Sequence, residues 1–148
     1  MSTTRVKAGK ELPEVYTKLV EIGELVETVI DRDIHELVKL RASYLNGCAF
    51  CVDLHSNDAL KAGESQQRLF LVGAWREAGS LFTEAERAVL ALVDEATKLG
   101  EHGVTDQVYE NVAKHFSEKE VAALIMAIGL INFYNRLGIS TGMTPPKR

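Results

Sequence analysis

Apolar residues recur at three- and four-residue intervals along almost the whole chain, and no stretch alternates apolar and polar positions as a strand would. The pattern predicts helices throughout. The first opens at Pro13, a residue favoured at a first helical position, and runs to about Val29 with Val15, Leu19, Ile22, Val26 and Val29 on one face. Asp31 or Asp33 caps a second, reaching about Leu45, whose stripe is Ile34, Leu37, Val38, Leu45 and the stem of Arg41. Asn46-Gly47 breaks it. A third opens at Cys48 and stops near Gly63, and Ser65 caps a short fourth containing Leu69, Leu71, Val72 and Trp75.

Two capping boxes punctuate the second half. In Thr83-Glu84-Ala85-Glu86 and in Ser117-Glu118-Lys119-Glu120 a hydroxyl can accept from the helix start while the glutamate three residues on reaches back. The first box launches a helix with Ala88, Val89, Leu92, Val93, Ala96 and Leu99 on its face, closed by Gly100. Val104, Val108, Val112 and Phe116 mark the next. The second box launches Val121 to about Leu137, with Gly138 as its stop; this helix is apolar almost all round and should be central or lie at a subunit interface. Ile139–Arg148, with two prolines, reads as an extended arm. The prediction is therefore an all-α fold: one domain over residues 1–148, a compact bundle of about six to seven helices with a short N-terminal extension and an extended C-terminal arm.

Composition adds exclusions. At 148 residues and 46% hydrophobic the chain can bury a continuous core, which excludes intrinsic disorder. A net charge of -4 without a basic block argues against nucleic acid as a partner. The longest apolar run, Val121 to Ile131, is shorter than the about 20 residues a bilayer requires, so no membrane association is expected. Met1 to Leu12 is polar, with no apolar core of a secretory leader, and the expected location is cytoplasmic. In such a reducing compartment two cysteines three positions apart point to redox chemistry or metal binding rather than to a structural staple.

Those cysteines anchor the chemistry. Gly47 ends one helix, so Cys48 falls at the start of the next, where unpaired N–H groups and the positive dipole end favour a thiolate. Cys51 lies one turn on, close enough for a disulfide, and His55 lies one turn beyond Cys51 on the same face, where it can accept a thiol proton. The histidine favours Cys51 as the reactive sulfur and the dipole favours Cys48. Glu36, on the preceding helix, can approach the pair if the two helices pack antiparallel, giving a relay of Glu36, His55 and the thiols. A buried glutamate there would need a partner. His35 faces away by periodicity and is expected at the surface. His102 and His115 are assigned no role. Trp75, Phe70, Phe82 and Tyr134 are expected in the core or at an interface, while Asn132, Asn135 and Arg136 serve as a cap, a subunit contact or a substrate contact.

The order Glu36, Cys48-x-x-Cys51, x-x-x-His55, within Arg41-Ala-Ser-Tyr-Leu-Asn-Gly-Cys-Ala-Phe-Cys-Val-Asp-Leu-His55, and the later Ile131-Asn132-Phe-Tyr-Asn135-Arg136, resembles the AhpD-like alkylhydroperoxidases of the carboxymuconolactone decarboxylase superfamily. The resemblance runs from about Asp31 to Arg136. It implies a helical subunit assembled as homotrimers or homohexamers, and peroxide as substrate. One cysteine becomes a sulfenic acid and the other condenses with it. It further implies Cys51 as the peroxide-reactive thiol, Cys48 as the more accessible one that meets a thiol or dithiol protein reductant of lipoyl or thioredoxin type, and a His55–Glu36 relay. No cofactor is implied: no metal, flavin or haem. Phe50 is a departure, standing where the best-known peroxidase members carry a second histidine.

Three rival readings remain. One is the lactone-acid decarboxylation of the same superfamily, whose members generally lack the cysteine pair. Another is a non-catalytic redox-sensing helical oligomer. The third is a metal site using Cys48, Cys51, His55 and Glu36 as ligands, although a structural zinc site usually draws on a second, distant ligand pair that the sequence does not offer.

Overall fold

The computed structural model describes residues 5–148. Eight α-helices are present among them, and no strand: α1 (Ala8–Glu11), α2 (Pro13–Glu27), α3 (Arg32–Asn46), α4 (Ala49–Lys61), α5 (Gln66–Leu71), α6 (Glu84–Thr97), α7 (Asp106–Ala113) and α8 (Glu118–Thr141). Two short 3₁₀ turns, Val72–Glu77 and Gly79–Leu81, join α5 to α6. The helix beyond the predicted six to seven is α1, a single turn within the N-terminal extension. Both capping boxes form as the sequence requires, with Thr83 and Ser117 accepting from the N–H of Glu86 and Glu120.

The core is assembled around α3. One side meets α6 and α8 through Val38, Ala42, Val89, Leu92, Val93, Leu124, Ala127, Ile128 and Ile131. The other meets α4, α5, the 3₁₀ turns and a second face of α6 through Leu37, Leu40, Ala59, Leu69, Val72, Trp75, Phe82 and Leu90. Phe82 and Trp75 are buried as expected, whereas Phe70 projects into solvent.

Three expectations are corrected. Gly138 does not end α8; the helix runs on to Thr141, and Gly142, at φ 72, is its left-handed cap. A glycine without a required left-handed turn is tolerated inside a long helix when packing needs it, and the arm beyond the helix is correspondingly shorter. Leu99 is exposed because α6 already stops at Thr97. The α2 face is only partly covered: Val26 is buried, but Val15 and Ile22 are exposed along with Val20 and Leu25.

With 24 residues, α8 has the length and apolar character of a membrane-crossing helix, although its uninterrupted run Val121–Ile131 is short. Here it is the core helix, and polar bonds rivet it to α3. Asn46 Nδ2 donates to Oδ1 of Asn132 at 2.9 Å and of Asn135 at 3.0 Å. Asn135 in turn donates to Ser43 Oγ at 3.0 Å, and Asn132 to Thr97 Oγ1 at 3.1 Å. These asparagines therefore bond within the chain, and they hold the last turn of α3 in place just before the cysteines.

Candidate active site

Gly47 adopts φ 70, ψ 33, the left-handed conformation that a residue without Cβ takes at little cost. The chain closes α3 in a Schellman turn, with the Cys48 N–H donating to the Ser43 carbonyl at 3.0 Å. Cys48 then becomes the N-cap of α4, and its sulfur accepts from the Cys51 N–H at 3.3 Å. One glycine thus ends one helix and delivers a sulfur to the positive start of the next.

Cys48 and Cys51 are joined in a disulfide with their Cα atoms 5.3 Å apart. Both are buried, Cys48 at 2% and Cys51 at 4% exposure. The expectation that Cys48 is the more accessible sulfur is not met in this state. Cys51 lines a cavity of about 1120 Å³, and Cys48 does not. The pair packs against α8 at Gly138, where a Cβ would stand 3.3 Å from Cys48 Sγ and 3.7 Å from Cys51 Sγ. Gly138 is the room the disulfide needs. The sequence predicts a stop here; the signal for the other outcome is a glycine within a helical pattern, which often has a packing reason.

His55 lines the same cavity as Cys51, one helical turn further along α4. Its Nδ1 faces Glu36 Oε2 across 3.6 Å, so α3 and α4 do bring the predicted glutamate to the histidine. Neither of these two buried atoms has a hydrogen-bond partner. The other Glu36 oxygen accepts from Lys39 Nζ at 3.3 Å, and Lys39 also reaches Glu27 at 3.0 Å. Burial pushes the Glu36 carboxyl up, but His55 and Lys39 outweigh it and hold the group below the usual carboxylate range. Cys48 and Cys51 thus stand at the α3–α4 junction, and the Glu36–His55 pair bridges the two helices further along, with His55 sharing the cavity wall with Cys51. Among the described residues, however, no group of three or more His, Cys, Asp and Glu side chains is arranged to hold a metal ion.

His35 is not on the surface. It is 4% exposed, with Nδ1 at 3.2 Å from Glu27 Oε1. Burial, then the charge of Lys39, drives its pKa down to about 4, so it is neutral at pH 7. Nor does it face away from the Cys helix: His35 shares a cavity with His55 of α4 and feels its charge, and periodicity does not show that α2 and α8 cover that side. A smaller cavity of about 250 Å³ there is lined by Glu27, His35, Lys39, Tyr134 and, from its other side, His55. His55 therefore stands between two cavities. Lys39, which the sequence does not single out, and His35, which it predicts at the surface, are polar partners of the site.

The model of the carboxymuconolactone decarboxylase family matches residues 13–95, which contain all four site residues. The chain belongs to this family. Within the carboxymuconolactone decarboxylase superfamily it is AhpD-like. A solved structure of a protein of unknown function from Agrobacterium tumefaciens, assigned provisionally to the AhpD antioxidant-defence proteins, superposes with a TM-score of 0.91 at 38% identity, covering 99% of this chain and 100% of that one. The uncharacterized YdfG of Bacillus subtilis is 37% identical over 87% of this chain and 82% of its own length. An uncharacterized peroxidase-related protein from Silicibacter sp. TM1040 shares the fold, with a TM-score of 0.78 at 16% identity over 88% of this chain and 69% of its own.

Proposed function

We propose that this member of the family is a thiol-dependent peroxidase of the alkylhydroperoxidase type. The observation that carries the reading is the placement of Cys51 and His55 on one cavity wall, with His55 Nδ1 turned to Glu36 and both facing atoms left without another partner. With Nδ1 turned to Glu36, Nε2 is the nitrogen that remains for a thiol proton.

In the reduced protein the Cys51 thiolate attacks the distal oxygen of a hydroperoxide. The O–O bond breaks, Cys51 becomes a sulfenic acid, and the leaving alkoxide takes a proton to depart as an alcohol. The Cys48 thiolate then attacks the Cys51 sulfur, the S–O bond breaks, and hydroxide takes a proton and leaves as water. The product is the disulfide present in this structure. A dithiol reductant resets it: one thiolate attacks Cys51, which faces the cavity, and Cys48 leaves as a thiolate received by the Cys51 N–H. The second reductant thiol then releases Cys51 and forms the reductant's own disulfide. Phe50 on the cavity wall supplies no proton, so the acid for the departing alkoxide must come from His55 or water.

The exposed apolar residues of α2 and α8, among them Ile22, Leu25, Met126 and Phe133, support assembly into the trimers or hexamers expected of this family. The decisive experiment measures consumption of cumene hydroperoxide with excess dithiothreitol. Wild-type protein turns over repeatedly, and Cys51→Ser abolishes the reaction. An unchanged rate in Cys51→Ser overturns the peroxidase reading, and a single stoichiometric oxidation without turnover marks a sensor instead.

A further inference from the structure

The cavity over Cys51 is much larger than hydrogen peroxide needs: at about 1120 Å³ it matches or exceeds the roughly 300–1,000 Å³ of pockets that enclose drug-sized ligands. Its walls are mostly apolar, including Val6, Tyr16, Phe50, Leu54, Leu137 and Met143. Its charged lining is of one sign. Arg5, Lys7 and Lys10 contribute to it, and no aspartate or glutamate does among the described residues. In a chain of net charge -4 this is a local reversal of the overall field.

The cationic segment is fastened over the cavity. Arg5 Nη1 donates to the Ser140 carbonyl at 2.9 Å, in the last turn of α8. Its side chain crosses Gly142, where a Cβ would lie 3.7 Å from Arg5 Cδ. Further along, Gly9 of α1 packs against the Tyr16 ring, with a Cβ there only 3.5 Å from Cδ2. Lys7 and Lys10 form no ion pair among the described residues, so their charges are free to meet a ligand.

We infer that the cavity selects an anionic amphipathic substrate: an organic hydroperoxide with a long apolar body and a carboxylate held by Arg5, Lys7 and Lys10 while the peroxide group reaches Cys51. This inference rests on the peroxidase reading for the reaction but not for the binding. Reduction follows the balance given above: the hydroperoxide becomes the hydroxy acid, and a dithiol supplies both electrons.

The test compares linoleic acid hydroperoxide with its methyl ester, using dithiothreitol as an uncharged reductant, and measures binding of unreactive linoleate by calorimetry. Wild-type protein should prefer the acid by about tenfold in kcat/KM, the sum of three partly solvated cations. The preference should shrink as salt rises. In Arg5→Gln/Lys7→Gln/Lys10→Gln it should fall to near one, and linoleate should bind about tenfold more weakly. Lys7→Gln/Lys10→Gln, which keeps the Arg5 bond to α8, should show part of the loss. Equal rates for acid and ester, with linoleate binding unmoved by the triple substitution while cumene hydroperoxide is still reduced, overturn this inference alone. Linoleate binding that depends on the three cations in a protein that reduces no hydroperoxide overturns the peroxidase reading and leaves the anionic site standing.

Discussion

Glu86 and Glu36 lie at the same depth, each side chain 12% exposed and each beside a cation, yet their oxygens are served differently. Both oxygens of Glu86 are held: Arg68 grips it in a fork at 2.7 and 2.9 Å, and the Thr83 N–H donates to Oε2 at 2.8 Å. Burial pushes the Glu86 carboxyl up, but Arg68 and Thr83 outweigh it and hold the group below the usual range. Asp94 is treated in the same way, with Arg41 at 2.6 Å, Arg76 at 3.0 Å and the Trp75 indole at 3.3 Å. Glu36 has Lys39 on one oxygen and only a 3.6 Å gap to His55 on the other. Closed networks brace the bundle; the open one is where a proton can move.

The contrast can be broken at several points. The largest effect is expected at His55: His55→Gln should lower peroxidase kcat/KM by about a hundredfold or more while changing stability little, because the atom it removes has no hydrogen-bond partner in the fold. Steady-state kinetics beside thermal melts read the two together. Asp94→Ala should do the reverse. It leaves the part-buried Arg41 Nε and the Trp75 indole N–H without their partner, at a cost of about 2 kcal/mol and a fall in Tm of roughly 6 °C, while the folded fraction keeps its thiol chemistry.

The closed braces were hard to find in the sequence because they join distant positions: Arg41 meets Asp94 53 residues away. What was legible was local. Two capping boxes, the Asn46-Gly47 break and the Ser65 cap each act within one turn, and each forms as expected. The Cys48–Cys51–His55 spacing was equally local, and Glu36 followed from the antiparallel return of one short turn. His35 was not legible, since its burial depends on α2 and α8 folding over it from either end of the chain. The face of α2 was misjudged for the same reason: a period shows which residues share a side, not whether anything covers that side.

A sharper test of the covered side is acid. A neutral, buried His35 takes up its proton at pH 6.5 in the unfolded chain but only at about pH 4 in the folded one. The unfolded state therefore binds more protons between these values, and stability is lost as pH falls from about 6.5 to 4. The loss should total about 3 kcal/mol. His35→Gln should flatten that part of the profile in denaturant titrations, while the closed site at Glu86 keeps its contribution until lower pH.

The smallest effect is expected at Gly138. Gly138→Ala gains helix propensity of about 1 kcal/mol but places a methyl 3.3 Å from Cys48 Sγ, so net stability should change by less than about 1 kcal/mol. Titration against dithiothreitol should show a changed midpoint for the disulfide, because the methyl crowds the oxidised and reduced pairs unequally. An identical midpoint would mean the sulfurs move freely away from α8.

The sulfur that caps α4 has one further consequence. A helix normally begins on a hydroxyl or carboxylate that never changes during turnover, but here the first turn leans on a sulfur that the proposed cycle would switch between disulfide and thiolate. A thiolate is the stronger acceptor, so each reduction should tighten the start of α4 and each oxidation relax it. The amide of Cys51 is then a built-in reporter: its proton resonance should shift downfield on reduction, giving a spectroscopic gauge of cycling that needs no dye, label or coupled enzyme.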